Sequence, residues 1–182
     1  MRAQIADYLK DLTIGNRKEL FEVLNFIAPL VDCWSLAEPK SGKQIMRYAS
    51  ANARKSAYVE FSIPKKSGGQ RTISAPIKPL KAIQSAINIL LQSIFVPDNH
   101  ATSFVLDRSV KDNALIHVGQ TCIFNTDLEN FFTSITKIMV RRALHRELGD
   151  KLQSKEVINI ICRLCTVPNL SLIHISEPTR PY

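Results

Sequence analysis

The hydrophobic period of this chain switches repeatedly between helical and strand spacing, and that switching limits the folds open to it. Up to about residue 51 apolar residues recur at helical spacing. Ile5, Leu9 and Leu12 share one face, and Leu20, Phe21, Leu24 and Ile27 another. Gly15 and Pro29 punctuate these segments, and residues 41–51 fit a further short helix. From Ala57 the period drops to two: Val59, Phe61 and Ile63 alternate with Tyr58, Glu60 and Ser62. Pro64-Lys-Lys-Ser-Gly-Gly interrupts this run, and Gln70-Arg-Thr-Ile-Ser-Ala-Pro76 follows it. A β-hairpin is predicted there, with glycines supplying the positive φ of a tight reversal. Helical spacing then returns over residues 78–95, with Leu80, Ile83, Ile87, Leu90, Leu91 and Ile94 inward and Pro97 beyond the end. Ser109 is placed to cap a helix running to about His117, which Gly119 stops. Residues 121–127 read as a strand, and residues 138–148 and 155–166 as helices. This order of strand, hairpin, helix, strand and helix predicts an α+β fold.

A chain of 182 residues holds one ordinary domain or two small ones. Its 45% hydrophobic and 22% charged residues suit a globular chain rather than a disordered one. No apolar run approaches the ~20 residues of a membrane-spanning helix. Met1-Arg-Ala-Gln-Ile-Ala-Asp7 also lacks the apolar core of a secretory signal. A cytoplasmic location with no membrane association is therefore expected. The net charge of +8 favours polyanionic partners, because Lys and Arg displace condensed counterions from phosphates. A merely soluble basic protein has the same charge, so charge alone leaves both readings open. The four cysteines do not form a disulfide framework in a cytosolic chain. Cys162-Arg-Leu-Cys165 has the spacing of a zinc or redox pair, yet no second pair or nearby His completes a site. Two buried helix cysteines are the favoured reading.

Two segments carry candidate chemistry. Lys65, Lys66 and Arg71 surround a Gly-containing turn, where Gly68 and Gly69 let backbone approach a phosphate and Arg71 can grip one bidentately. Solvated charges on an exposed hairpin explain the same residues. In Ile123-Phe-Asn-Thr-Asp127-Leu-Glu-Asn-Phe-Phe-Thr-Ser-Ile135, an acid ends an apolar strand and precedes paired aromatics. A carboxylate so placed, helped by the next backbone carbonyl, can hold a divalent metal for phosphoryl transfer. A helix N-cap aspartate with Phe131 and Phe132 in the core is the alternative.

Order along the chain adds what neither segment carries alone. Phe61-Ser-Ile-Pro-Lys-Lys-Ser-Gly-Gly-Gln-Arg-Thr-Ile-Ser-Ala-Pro76 is followed by Leu80-Lys-Ala-Ile-Gln84. Phe104 and Arg108-Ser-Val-Lys-Asp-Asn-Ala-Leu-Ile-His117 come next, and then Asn125-Thr-Asp-Leu-Glu-Asn-Phe-Phe-Thr-Ser-Ile135. This series resembles the fingers and early palm blocks of bacterial retron-type reverse transcriptases, with group II intron enzymes sharing a looser form. The resemblance implies an RNA-directed DNA polymerase with the fingers and an incomplete palm of a right-hand polymerase. It divides the chain into an N-terminal helical region (1–56), fingers (57–120) and the start of a palm (121–169).

The resemblance also implies residue roles. Arg71, with Lys65 or Lys66, holds the incoming triphosphate. Asp127 is the first catalytic metal-binding carboxylate, with the Leu128 carbonyl beside it, and two Mg2+ ions are the expected cofactor. Phe132 occupies the place of an aromatic gate against the ribose 2′-hydroxyl. Arg108 and Asn113 belong to a block that shapes the template side; His117 lies in the same block and reads as a structural histidine. The implied partners are an RNA template, a DNA or RNA primer, deoxynucleoside triphosphates and a cognate structured RNA, with antiviral defence the implied setting. A mobile-element reverse transcriptase and a non-catalytic nucleic-acid-binding domain of the same fold are the alternatives.

Two departures stand out. Ser103 takes the place where the family usually has Gly before Phe104. The family's later Gln-Gly-x-x-x-Ser-Pro segment and Tyr-x-Asp-Asp turn have no counterpart. Leu170-Ser-Leu-Ile-His-Ile-Ser-Glu-Pro-Thr-Arg180 reads as an in-frame translation of a sequencing adapter, so residues 170–182 are expected to lie outside the native fold. The chain as written is expected to be inactive.

Overall fold

A computed structural model of the chain describes residues 8–30, 41–50, 56–64, 68–105, 108–128 and 131–167. The first complete helix, α1 (Arg17–Ile27), starts where the Asn16 side chain accepts from the Lys18 and Glu19 amides. Its apolar residues Leu20, Phe21, Leu24 and Ile27 are all buried, as their spacing predicts, and a 3-10 turn (Ala28–Leu30) extends it. Helix α2 (Gly42–Ala49) begins in a capping box formed by Ser41 and Gln44 and buries Ile45 and Ala49. Gly42 lies against the Phe21 ring so closely that a Cβ would come within 2.7 Å of it.

Strands β1 (Tyr58–Pro64) and β2 (Gln70–Pro76) form the predicted antiparallel hairpin, in register from Tyr58 opposite Pro76 to Pro64 opposite Gln70. Gly68 and Gly69 take φ of +86° and +84°, which a side chain would oppose. The Ile77 amide donates to the Ala57 carbonyl at 2.9 Å and leads the hairpin into α3 (Lys78–Ile94). This helix buries Leu80, Ile83, Ile87, Leu90 and Ile94. Outward from the core lie α4 (Val110–Leu115), α5 (Phe131–Ser134) and most of α6 (Lys137–Leu148). Helix α7 (Lys155–Cys165) returns inward and buries Val157, Ile158, Ile160, Ile161, Cys162, Leu164 and Cys165.

Side chains of α1, α2, α3 and α7 meet in one apolar cluster. Two long-range ties close it. The Ile14 amide donates to the Lys151 carbonyl at 2.7 Å and the Gln153 amide to the Ile14 carbonyl at 3.1 Å, joining an early segment to the α6–α7 turn. Gln84 is buried, and its Nε2 donates to Tyr58 Oη at 3.0 Å and to the Leu164 carbonyl at 2.8 Å. One amide thus fastens the hairpin and α7 to α3. Cys162 and Cys165 are buried on α7, as expected, and burial pushes their thiols up to about 11 and about 12. No described helix is long and apolar enough to cross a membrane.

The architecture is α+β, a small antiparallel sheet beside a helical core, with one correction to the predicted elements. Residues 121–127 do not form a strand: they have no regular structure and are exposed. A strand requires a ladder partner, and the sheet among the described residues has only β1 and β2. Ile123 is 59% exposed and Phe124 89%. The apolar row Val59, Phe61 and Ile63 is likewise exposed on β1.

Candidate functional site

Arg71 is the second residue of β2 and lies opposite Ile63 near the turn. It is exposed, and no carboxylate pairs with it among the described residues. Its hydrogen-bond donors are therefore open to an anionic ligand. Lys65 and Lys66 lie outside the described residues. Farther along the sheet the pair Glu60 and Ser74 is bridged, with Ser74 Oγ donating to Glu60 Oε1 at 3.3 Å.

Asp127 ends the exposed segment that precedes α5, and its residue is itself exposed. The Leu128 carbonyl accepts the Phe131 amide at 3.3 Å, which turns the chain into α5 and leaves that oxygen a second lone pair. Phe132 sits in the four-residue helix α5, and its side chain lies outside the described residues. The carboxylate and the carbonyl are hard oxygen donors of the kind Mg2+ takes. Two such donors would hold a divalent ion only with further oxygen ligands. Among the described residues no group of three or more His, Cys, Asp or Glu side chains is positioned to hold a metal.

Arg108 has a different environment from Arg71. Its Nη1 donates to the carbonyls of Asp98 and Asn99 at 3.0 Å each and of Ala101 at 2.6 Å, and its Nη2 donates to Asn99 Oδ1 at 3.4 Å. The guanidinium is engaged in shaping the 98–101 loop. The backbone amide and ring of His100 hold the exposed Asp98 carboxyl below its ordinary range. Ser109, through its hydroxyl and its amide, does the same for Asp112 at the start of α4. Asn113 and His117 are exposed, so His117 is not a core histidine. Phe104, next to Ser103, has φ of +61°, a conformation that favours glycine. No hydrogen bond or ion pair joins Arg71, Arg108, Asn113 and Asp127 to one another among the described residues.

Four further basic residues line a cleft between α6 and α7: Arg141, Arg142, His145 and Lys155. Sequence patterning assigns them only to helices. The signal that groups them is spacing, since Arg141 and His145, and Lys155 and Asn159, stand four apart and share a helix face.

No family model matches the chain. Over 162 residues it is 30% identical to the retron Ec73 reverse transcriptase of Escherichia coli, covering 85% of this chain and 49% of that protein. The chain is a relative of the retron reverse transcriptases. With the retron Mx65 reverse transcriptase of Myxococcus xanthus it shares 42% identity over 87 residues, 48% of this chain and 20% of that one. With the retron Ec83 reverse transcriptase of Escherichia coli it shares 35% over 109 residues, 59% and 34% respectively. It thus spans less than half the length of these retron reverse transcriptases.

Proposed function

We propose that this chain forms the fingers and the start of the palm of an RNA-directed DNA polymerase. The parent protein extends a DNA or RNA primer on an RNA template with deoxynucleoside triphosphates. The observation that carries this reading is the likeness to the retron Ec73 reverse transcriptase across 85% of the chain. In the reaction the primer 3′-hydroxyl oxygen bonds to the α-phosphorus, the bond from that phosphorus to the bridging oxygen breaks to release pyrophosphate, and the hydroxyl proton passes to solvent.

Each residue has a separate task. Arg71 donates to the triphosphate oxygens, supported by Lys65 and Lys66. Asp127 and the Leu128 carbonyl would hold a divalent ion, which would offset charge developing on the phosphate. Phe132 stands beside them in sequence as the gate against a 2′-hydroxyl. Arg108 acts through the 98–101 loop that it braces, and Asn113 contributes to the template side. A structured RNA as cognate partner and a part in antiviral defence extend the same reading.

Primer extension by the full-length parent on an RNA template, with and without a chelator, tests this. Extension should require the divalent ion, and Asp127→Asn should lower the rate by about a hundredfold or more, the scale of losing one electrostatic stabiliser. Near-normal activity in Asp127→Asn would remove Asp127 from the metal site. Failure of the unaltered parent to copy RNA would remove the polymerase reading.

A further inference from the structure

We infer that the cleft between α6 and α7 is a phosphate-backbone site for a nucleic-acid strand. It is built on elements other than the hairpin and the Asp127 segment. The cleft has a volume of about 350 Å³ and is lined by Arg141, Arg142, His145, Lys155, Ile158 and Asn159. Helix α6 contributes three of these at positions i, i+1 and i+4, and α7 contributes three at i, i+3 and i+4. The two helices pack against each other, so their facing surfaces bring the cations together. Ile158 is buried at the floor, and the Asn159 amide, half-buried, adds a neutral polar group.

Charge accounting defines the ligand. Arg141, Arg142 and Lys155 have no ion pair among the described residues. The nearby carboxylates are directed elsewhere: Glu147 is bonded to Arg146 at 2.6 Å, and Glu156 lies 3.6 Å from Arg17. Neither lines the cleft. A concave surface with arginine and lysine and no acid repels cations and attracts closely spaced anions. The two arginine forks suit phosphate oxygens, which they can hold bidentately. Lys155 opens α7, whose N-terminus is capped by Ser154 on the Glu156 amide, and there its charge adds to the positive end of the helix dipole. No Phe, Tyr or Trp is among the described lining residues, so the cleft lacks a large ring platform for bases and is dominated by its cations. The charged side chains therefore address mainly the phosphodiester chain, and that part of the binding carries no base-sequence information.

The test uses the 182-residue chain, a labelled oligouridylate and the matching oligodeoxyuridylate, with anisotropy read over a range of salt concentrations. For single strands each phosphate contact contributes roughly 0.7 to the slope of log affinity against log salt. Arg141→Gln/Arg142→Gln should therefore lower the slope by about 1.4, and weaken binding about tenfold or more at low salt, for both sugars. Arg141→Lys/Arg142→Lys should keep the slope and lose a smaller share of affinity, since charge remains and the bidentate fork does not. Lys43→Gln/Arg47→Gln removes the same charge from exposed positions on α2 and should change the slope much less. Circular dichroism confirms that each variant keeps its helices. The inference is overturned if the double glutamine variant binds like the unaltered chain, or if the α2 variant loses as much. It is also overturned if the loss is confined to one sugar, or if polyglutamate of matched charge binds the cleft as tightly as RNA.

Discussion

Gln84 belongs to the Leu80–Gln84 run that carries part of the family resemblance, yet its side chain performs a structural task. Both Nε2 hydrogens are used, one on Tyr58 Oη and one on the Leu164 carbonyl. Gln84→Leu keeps the volume and removes both donors, leaving a buried carbonyl without that partner. It should destabilise the chain by about 1–3 kcal/mol, read by urea denaturation; a change within a few tenths would show that water replaces the amide. The two arginines divide differently. Arg108 is fixed by four bonds to its own loop, whereas Arg71 is exposed and has no acidic partner among the described residues. Arg71→Ala in the full-length parent should therefore raise the KM for deoxynucleotides more than it weakens RNA binding. The loss should be about 1.5–3 kcal/mol, the scale of a charge-assisted contact. Unchanged nucleotide kinetics with weakened RNA binding would move Arg71 to the template side.

At the scale of elements, the helices and the hairpin are legible in sequence because their causes are local. Asn16, Ser41, Ser109 and Ser154 each cap the helix that follows, and the buried faces of α1 and α3 match the apolar spacing almost residue for residue. Gly68 and Gly69 announce the reversal. Residues 121–127 have the composition of a strand, but a strand's hydrogen bonds are made to another segment, and local pattern carries no information on whether that segment is present. The candidate site was legible for the same reason only as an ordered list: Asp127 and Arg71 stand in family order, while the cleft of Arg141, Arg142, His145 and Lys155 depends on how two helices pack. Helix α7 gives a direct chemical expectation. Cys162 and Cys165 are buried, and burial raises both thiols from the ordinary value of 9.0. The folded state therefore keeps protons that the unfolded chain releases. This contribution to stability is whole below about pH 9 and declines as pH rises toward 11 and 12, where the folded thiols titrate. At neutral pH, iodoacetamide followed by peptide mass analysis should label the exposed Cys122 and spare Cys162 and Cys165 until denaturant is added. Equal labelling of all three in the native chain would mean that α7 is not seated in the core.

For the whole molecule, two opposing surface properties decide its behaviour in solution. Apolar side chains are exposed in several places, among them Val59, Phe61 and Ile63 on the hairpin, and Leu115, Ile116, Val118, Ile123, Phe124 and Leu128 from the end of α4 toward α5. Such surface favours association. The net charge of +8 opposes it through repulsion between copies. Salt acts on only one of the two, because the screening length falls from about 10 Å at 0.1 M to about 3 Å at 1 M while apolar attraction persists. Sedimentation velocity of the 182-residue chain should therefore show a mass that rises with salt, opposite to the salt dependence expected for its nucleic-acid binding. Ile123→Ser/Phe124→Ser should suppress that rise without loss of helical signal, since neither side chain belongs to the apolar core. A chain that stays monomeric at both salt concentrations, or a double variant that associates as strongly as the unaltered chain, would show that the 121–128 segment is not the adhesive surface.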